Sequence, residues 1–107
     1  MTQKRELFRI ALDRTGELRR ENTVSPCVVL DLTEKGVRLK TELPVQEGDR
    51  LQLTFQLSTN CPITCTLQVA RINPPSIGTT ITDISPDDRE KLARFIEDLN
   101  ALHMTGF

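Results

Sequence analysis

The chain has 107 residues, of which 37% are hydrophobic and 27% charged, and its formal net charge at pH 7 is −1. These values fit one soluble globular domain with a single hydrophobic core and exclude a disordered chain. The near-neutral charge, with no Trp or Tyr, argues against a domain that wraps DNA or RNA, because such domains need excess positive charge and aromatic side chains for base stacking.

The first third of the chain predicts two strands. Residues 8–12 alternate between apolar and polar side chains, and Thr15-Gly16 predicts a turn after them. Residues 17–21 (ELRRE) are mostly polar, which indicates an exposed strand or a loop. Residues 27–32 (CVVLDL) form a nearly continuous apolar run, typical of a strand buried on both faces.

The middle of the chain predicts three more strands. Residues 33–36 (TEKG) form a turn, and 37–41 (VRLKT) alternate as the returning strand. Residues 44–50 form a loop. Apolar residues at every second position over 51–57 and again over 63–69 predict two strands that each bury one face.

A last short strand over 77–84 is followed by a helix start signal. Ser85 is a favoured N-cap, Pro86 suits the first helical position, and two acidic residues follow where the helix dipole favours them. Apolar residues then recur at helical spacing: Leu92, Phe95, Ile96, Leu99 and Leu102. We therefore predict a C-terminal helix over residues 86–103.

Together these elements predict a mainly β fold, namely a six-stranded antiparallel β-barrel with one C-terminal α-helix. We expect a single domain over residues 1–107, with the barrel over 8–84. Residues 1–7 precede the first strand and have little apolar material to anchor them, so we expect a flexible N-terminal segment.

The three cysteines, Cys27, Cys61 and Cys65, predict free thiols rather than a metal site. Cys27 and Cys65 lie in apolar strand-like runs, where buried reduced thiols are common. The C-P-I-T-C spacing lacks a second ligand pair, and the single histidine, His103, is distant in sequence.

The charged N-terminus and the lack of a long apolar run predict no membrane insertion, so we expect a cytoplasmic protein.

Charge is unevenly distributed along the chain. Residues 1–20 hold six basic side chains against three acidic ones, which suits a small anion better than a long polyanion. Two arginines, Arg5 and Arg9, lie four residues apart, and residues 31–36 read D-x-T-x-x-G. Either motif alone has an ordinary interpretation: the arginines are solvated at a chain terminus, and residues 31–36 form a turn in which Gly36 has a positive φ.

The two motifs together resemble the PilZ domain family. Arg5-x-x-x-Arg9 opens the first strand, and Asp31-x-Thr33-x-x-Gly36 follows some twenty residues later at a hairpin. The resemblance extends over roughly residues 4–99. Two positions depart from the family pattern, because Thr33 stands where serine is more common and Ile81 where phenylalanine is common.

The resemblance implies a PilZ-type barrel that is a receptor for the bacterial second messenger cyclic di-GMP. The implied ligand contacts are Arg5, Arg9, Asp31, Thr33 and Gly36. Guanidinium groups bind phosphate in bidentate fashion and stack on purines, and a carboxylate accepts hydrogen bonds from guanine N1–H and N2–H₂. A hydroxyl adds a further hydrogen bond, and glycine lets the backbone approach the ligand. No metal or cofactor other than this ligand is expected.

Three further cations are candidate secondary ligand contacts: Lys4, Arg38 and Arg71. Members of the family bind one ligand or a stacked pair, and four phosphate charges need more cations than Arg5 and Arg9 provide. Lys4 adjoins the first motif, whereas Arg38 and Arg71 can equally be ordinary solvated charges. We predict two ligands per chain, with Lys4 helping to set that number.

The sequence does not predict an enzyme, because it has one histidine and no evident nucleophile–base pair. A receptor without its own catalytic activity acts through a partner, so we expect the signal to pass to a downstream protein that the sequence does not identify. The alternative is a PilZ-like protein-interaction adaptor that does not bind nucleotide.

Overall fold

The computed structural model describes residues 10–105 of the chain, with side chains described for residues 11–99. These residues form six strands and one helix in the order β1 (Ile10–Arg20), β2 (Thr23–Leu32), β3 (Gly36–Thr41), β4 (Arg50–Ser58), β5 (Cys61–Asn73), β6 (Ser76–Ile84) and α1 (Pro86–Thr105). Residues 1–9 and 106–107 lie outside the described part, and with them the predicted N-terminal segment.

The six strands close into an antiparallel barrel with the strand order β1-β2-β3-β6-β5-β4. Pairing of β1 with β4, for example Leu18 with Leu53, closes the sheet on itself. The connection from β3 to β4 crosses over, because β6 rather than β4 lies beside β3. The predicted six-stranded antiparallel barrel with a C-terminal helix is therefore confirmed.

The predicted turn at Thr15-Gly16 is wrong. β1 runs without interruption from Ile10 to Arg20, and the chain reverses at Glu21, whose φ is 55°. Gly16 pairs with Cys27 in β2 and Phe55 in β4, and a Cβ added at Gly16 would lie 3.1 Å from the Phe55 Cβ. The glycine therefore allows close packing inside the barrel wall, a need that the sequence pattern does not distinguish from a turn.

The barrel core follows the period-2 alternation that the sequence predicts for β4 and β5. The inward side chains of these strands are buried: Leu51, Leu53, Phe55 and Leu57 in β4, and Ile63, Cys65, Leu67 and Val69 in β5. Each large buried aliphatic side chain contributes about 1.5–3 kcal/mol by leaving water. Burial of β2 on both faces is only partial, because Val29 is fully buried whereas its neighbours Val28 and Leu30 are half-buried.

Helix α1 begins as predicted and packs mainly on β5. Ser85 is the N-cap, since its Oγ accepts a hydrogen bond from the Asp88 backbone N–H at 3.1 Å. The Asp88 carboxylate in turn accepts one from the Thr64 N–H at 3.1 Å, which ties the start of the helix to β5. Leu92 and Ile96 are both 1% exposed and extend the core beyond the barrel wall.

Cys27 and Cys65 are buried, as predicted, and none of the three cysteines forms a disulfide within the described residues. Burial raises the pKa of the Cys27 thiol to about 11 and that of Cys65 to about 12. In the part of the chain that the structure describes, no group of three or more His, Cys, Asp or Glu side chains is placed to hold a metal ion. No helix among the same residues has the length and apolar character that crossing a bilayer requires.

Candidate functional site

A buried aspartate lies where β2 approaches its hairpin with β3. The pairing of these strands shifts between Val29 and Asp31, which is the signature of a β-bulge and brings Asp31 opposite Arg38. Asp31 is only 6% exposed. The Arg38 Nε donates a hydrogen bond to its Oδ2 at 2.8 Å, while half of the Arg38 side chain is exposed. Burying a carboxylate is costly unless charged or polar donors pair with it, and Arg38 is such a donor.

The hairpin that follows is held together by Thr33. Its Oγ1 accepts hydrogen bonds from the backbone N–H groups of Lys35, at 3.1 Å, and Gly36, at 3.0 Å. The Thr33 N–H also donates to the Gly36 carbonyl at 2.9 Å. The hydroxyl thus has a definite structural role, namely fixing the turn beside Asp31.

Gly36 does not have the positive φ that the turn interpretation predicts. Among the described residues, Gly48 is the only glycine with a positive φ. Gly36 instead begins β3 beside β6, and a Cβ added there would collide with the Thr79 carbonyl oxygen. Thr79 is itself buried, and its hydroxyl donates to the Val37 carbonyl at 2.8 Å, which fixes this part of the wall. Glycine at residue 36 is therefore required by close packing of β3 and β6.

An open pocket of about 230 Å³ lies on the outside of the barrel wall beside this hairpin. It is lined by Asp31, Thr33, Gly36, Val37, Arg38, Ala70, Arg71, Gly78, Thr79 and Thr80. Two arginines and one aspartate give this lining a net positive charge, which favours an anionic ligand. Ligand pockets usually measure roughly 300–1,000 Å³, so this pocket has room for part of a dinucleotide, and the rest would extend over its rim.

The structure brings five of the predicted contact residues to this one pocket: Asp31, Thr33, Gly36, Arg38 and Arg71. The other three, Lys4, Arg5 and Arg9, lie outside the described residues, and their role stays a prediction. The start of β1 lies beside the β2–β3 hairpin, because Ile10 pairs with Leu32 and Ala11 pairs with Asp31.

Sequence reasoning missed Gly78, which lies between the two arginines of the pocket. In the strand register Gly78 pairs with Arg38 of β3 on one side and with Arg71 of β5 on the other. A shift in the β5–β6 pairing between Val69 and Arg71 sets this alignment. A glycine inside a strand pattern often marks close approach of a ligand or another backbone, so the glycine in residues 77–84 (IGTTITDI) is the sequence signal that points to this position.

A larger groove, of about 600 Å³, lies further along the β2–β3 pair, away from the hairpin. Its lining includes Pro26, Cys27, Lys40, Glu42 and Pro75. Lys40 and Glu42 cancel in charge, and the lining includes no arginine and no predicted contact residue from the described part of the chain. The groove therefore suits an anion less well than the pocket beside the hairpin.

Solved structures with the same fold include both single domains and longer proteins. The c-di-GMP-bound PilZ domain of YcgR from Escherichia coli is 19% identical, with a TM-score of 0.74 over 97% of this chain and 98% of that chain. The inhibitor of motility MotI/DgrA of Bacillus subtilis has a TM-score of 0.79 and 17% identity over 94% of this chain and 53% of that chain. The MrkH–c-di-GMP complex of K. pneumonia has a TM-score of 0.74 and 18% identity over 99% of this chain and 57% of that chain.

The chain thus spans about half the length of MotI/DgrA and of MrkH and nearly the whole of the YcgR PilZ domain. Comparison with curated protein sequences gives no significant match. The family model for the PilZ domain, however, matches residues 3–98. Since that match covers most of the sequence and the barrel agrees with it, the chain belongs to the PilZ domain family.

Proposed function

We propose that the protein is a cytoplasmic receptor for cyclic di-GMP, without enzymatic activity, that relays the signal to a downstream protein. The observation that carries this proposal is the pocket beside the hairpin. Its lining contains buried Asp31, which is ion-paired with Arg38, and a second arginine, Arg71. The proposal is supported by membership of the PilZ family and by two similar structures that contain c-di-GMP, those of the YcgR PilZ domain and MrkH.

Each group in the pocket matches a part of this ligand. The Asp31 carboxylate accepts hydrogen bonds from guanine N1–H and N2–H₂, which are two adjacent donors, whereas a ligand hydroxyl offers one donor and an ionised phosphate none. Arg38 already contacts that carboxylate and holds it in place through Oδ2. Arg5 and Arg9 bind the phosphates from the N-terminal side, because a guanidinium pairs with two phosphate oxygens at once.

Thr33 and Gly36 act in this proposal mainly by fixing the backbone against which the ligand rests. The Thr33 hydroxyl is already bonded within the turn, and Gly36 is already packed against β6. A site whose backbone does not rearrange loses less entropy when the ligand binds. In this proposal the hairpin forms one side of the site, and Arg5 and Arg9 are expected to contact the ligand from the other.

We further propose that two ligand molecules bind each chain as a stacked pair. Four phosphate charges then lie close together and need more cations than Arg5 and Arg9 supply. Lys4 is adjacent to Arg5 in the sequence, and Arg38 and Arg71 lie in the pocket lining. Removing the Lys4 charge is expected to lower the stoichiometry, and high salt to weaken binding through screening.

Isothermal titration calorimetry with cyclic di-GMP, and with GTP as a control, tests the proposal. We expect the protein to bind cyclic di-GMP and not to bind GTP at the same concentration. A folded protein that binds neither nucleotide contradicts the receptor function and favours the alternative, a PilZ-like adaptor that acts through protein contacts alone.

A further inference from the structure

The pocket contains a row of three residues that crosses three strands, Arg38 in β3, Gly78 in β6 and Arg71 in β5. The two arginines are exposed, and Gly78 faces the outside of the barrel because Ile77 and Thr79 on either side of it are buried. Arg71 faces the same way as its partner Gly78 because the pairing shift between Val69 and Arg71 interrupts the alternation of β5. Neighbouring strands lie about 4.8 Å apart, so the two arginine Cα atoms are separated by roughly 10 Å. Gly78 leaves the space between them without a side chain.

The fold itself does not explain a glycine at residue 78. A Cβ added there would meet only the Arg71 Cβ, at the ordinary contact distance of 3.9 Å, whereas one added at Gly36 would collide with backbone. Gly78 also lacks a positive φ. Glycine weakens a strand because it gains no side-chain packing and loses more backbone entropy than other residues. Neither packing nor backbone geometry therefore requires it.

The two arginines differ in how they are held. Arg38 is fixed by its ion pair with Asp31, through Nε. The Arg71 side chain has no hydrogen bond or ion pair with any residue in the described part of the chain, although it borders the pocket. On one side of the open space, the Arg38 guanidinium is already held by the protein. On the other side, the Arg71 guanidinium is available to bind a ligand.

We propose that the space above Gly78 is a subsite for one guanine base, bounded by the guanidinium groups of Arg38 and Arg71. This inference rests on the proposed function and assigns a role that the two sequence motifs do not cover. A flat base fits over a residue without a side chain, and arginine both stacks on purine faces and donates to guanine O6 and N7. Asp31, on the other side of Arg38, receives the N1–H and N2–H₂ donors.

The chemistry of this subsite discriminates between purines. Adenine has a donor, N6–H₂, where guanine has the O6 acceptor. An arginine donor facing N6–H₂ is left without an acceptor, and the subsite loses the hydrogen bond that guanine forms. Cyclic di-GMP is therefore favoured over cyclic di-AMP, although both carry the same phosphates.

The test is calorimetric binding of cyclic di-GMP to Gly78→Val, with Thr82→Leu as the matched control. Val fills the space above the strand, whereas Thr82 is an exposed residue of the same strand outside the pocket lining. We expect Gly78→Val to lower the affinity at least tenfold with the melting temperature retained, and Thr82→Leu to bind like wild type. Equal affinity of Gly78→Val and wild type overturns the subsite.

A second pair of variants keeps the test decisive if Gly78→Val does not fold. Arg71→Met removes the guanidinium but keeps most of the side-chain length, and Arg71→Lys keeps the charge without the planar group. We expect both to lose affinity for cyclic di-GMP, Arg71→Met by at least tenfold and with reduced selectivity against cyclic di-AMP, whereas Arg71→Lys keeps part of that selectivity because an ammonium still donates to guanine O6 and N7. Wild-type affinity in both overturns the subsite. Absence of binding by wild type instead contradicts the proposed function itself, and the subsite fails with it.

Discussion

The Nε of Arg38 lies 2.8 Å from the Oδ2 of Asp31, so an exposed arginine is anchored by an aspartate that is only 6% exposed. The contact depends on the bulge in the β2–β3 pairing between Val29 and Asp31. It orients a carboxylate and a guanidinium side by side at the rim of one pocket. Such a pair presents hydrogen-bond acceptors and donors to the same planar base.

Replacing Asp31 with alanine should reduce the free energy of ligand binding more than the free energy of unfolding. Loss of the hydrogen bonds to guanine is expected to cost about 2 kcal/mol of binding free energy, because they involve a charged acceptor. The ion pair with Arg38 is half exposed on the arginine side, so its loss should change the free energy of unfolding by only about 1 kcal/mol. Calorimetry and urea denaturation measure the two quantities. A large loss of stability with unchanged affinity would mean that Asp31 serves the turn alone.

Replacing Arg9 with alanine should cost about 2–4 kcal/mol of binding free energy, since charge-assisted phosphate contacts in a partly desolvated site are strong. Arg5→Ala is expected to behave in the same way. Arg19→Ala is the matched control, because Arg19 is an exposed arginine of β1 paired with Val24, at the end of the strand far from the hairpin. Equal losses in Arg9→Ala and Arg19→Ala would indicate a general charge effect and contradict a specific phosphate contact.

Gly36→Ala should destabilise the barrel by about 1–3 kcal/mol, the usual range for an overpacked interior site. The added Cβ collides with the Thr79 carbonyl oxygen, which belongs to backbone and cannot rotate away. Chemical denaturation measures the free energy of unfolding of Gly36→Ala and of the control Gly78→Ala, whose added Cβ makes only an ordinary contact with Arg71. Wild-type stability in Gly36→Ala would contradict the packing role of this glycine.

Cys27 and Cys65 should resist alkylation in the folded protein at pH 8, because burial raises the pKa of the first to about 11 and of the second to about 12. Between pH 9 and 11 these thiols ionise in the unfolded chain while they remain protonated in the folded one. Their contribution to stability is therefore complete below pH 9 and is lost as the pH rises towards 11 or 12.

Iodoacetamide labelling followed by mass spectrometry measures the reactivity of each thiol, and denaturation at pH 7 and pH 10.5 measures the stability. Half-buried Cys61 serves as the internal comparison for reactivity. Rapid labelling of Cys65 under native conditions, or a stability that rises between the two pH values, would contradict this expectation.

Local patterns in the sequence were enough to predict most of the fold. The alternation in residues 51–57 and 63–69 predicted two strands with one buried face each, and the Ser85-Pro86 pair predicted the start of the helix. Gly16 misled the prediction, because glycine serves both turns and close strand packing, and only the tertiary structure decides between them.

The candidate site was predicted only in part, because its remaining features depend on register. Asp31, Thr33 and Gly36 are close in sequence and form one motif. The alignment of Arg38, Gly78 and Arg71 instead depends on shifts in strand pairing between residues far apart in the chain. A one-residue slip would turn each of these side chains to the opposite face of the sheet, and no pattern within a single strand shows where such a shift occurs.

The most direct test of the central claim, that the pocket beside the β2–β3 hairpin binds cyclic di-GMP, is an NMR titration that follows the backbone amides. The largest chemical-shift changes are expected at residues 31–36, Arg38, Arg71 and Gly78, with little change in the groove around Lys40 and Glu42. Changes confined to that groove, or no changes at saturating cyclic di-GMP, would contradict the claim.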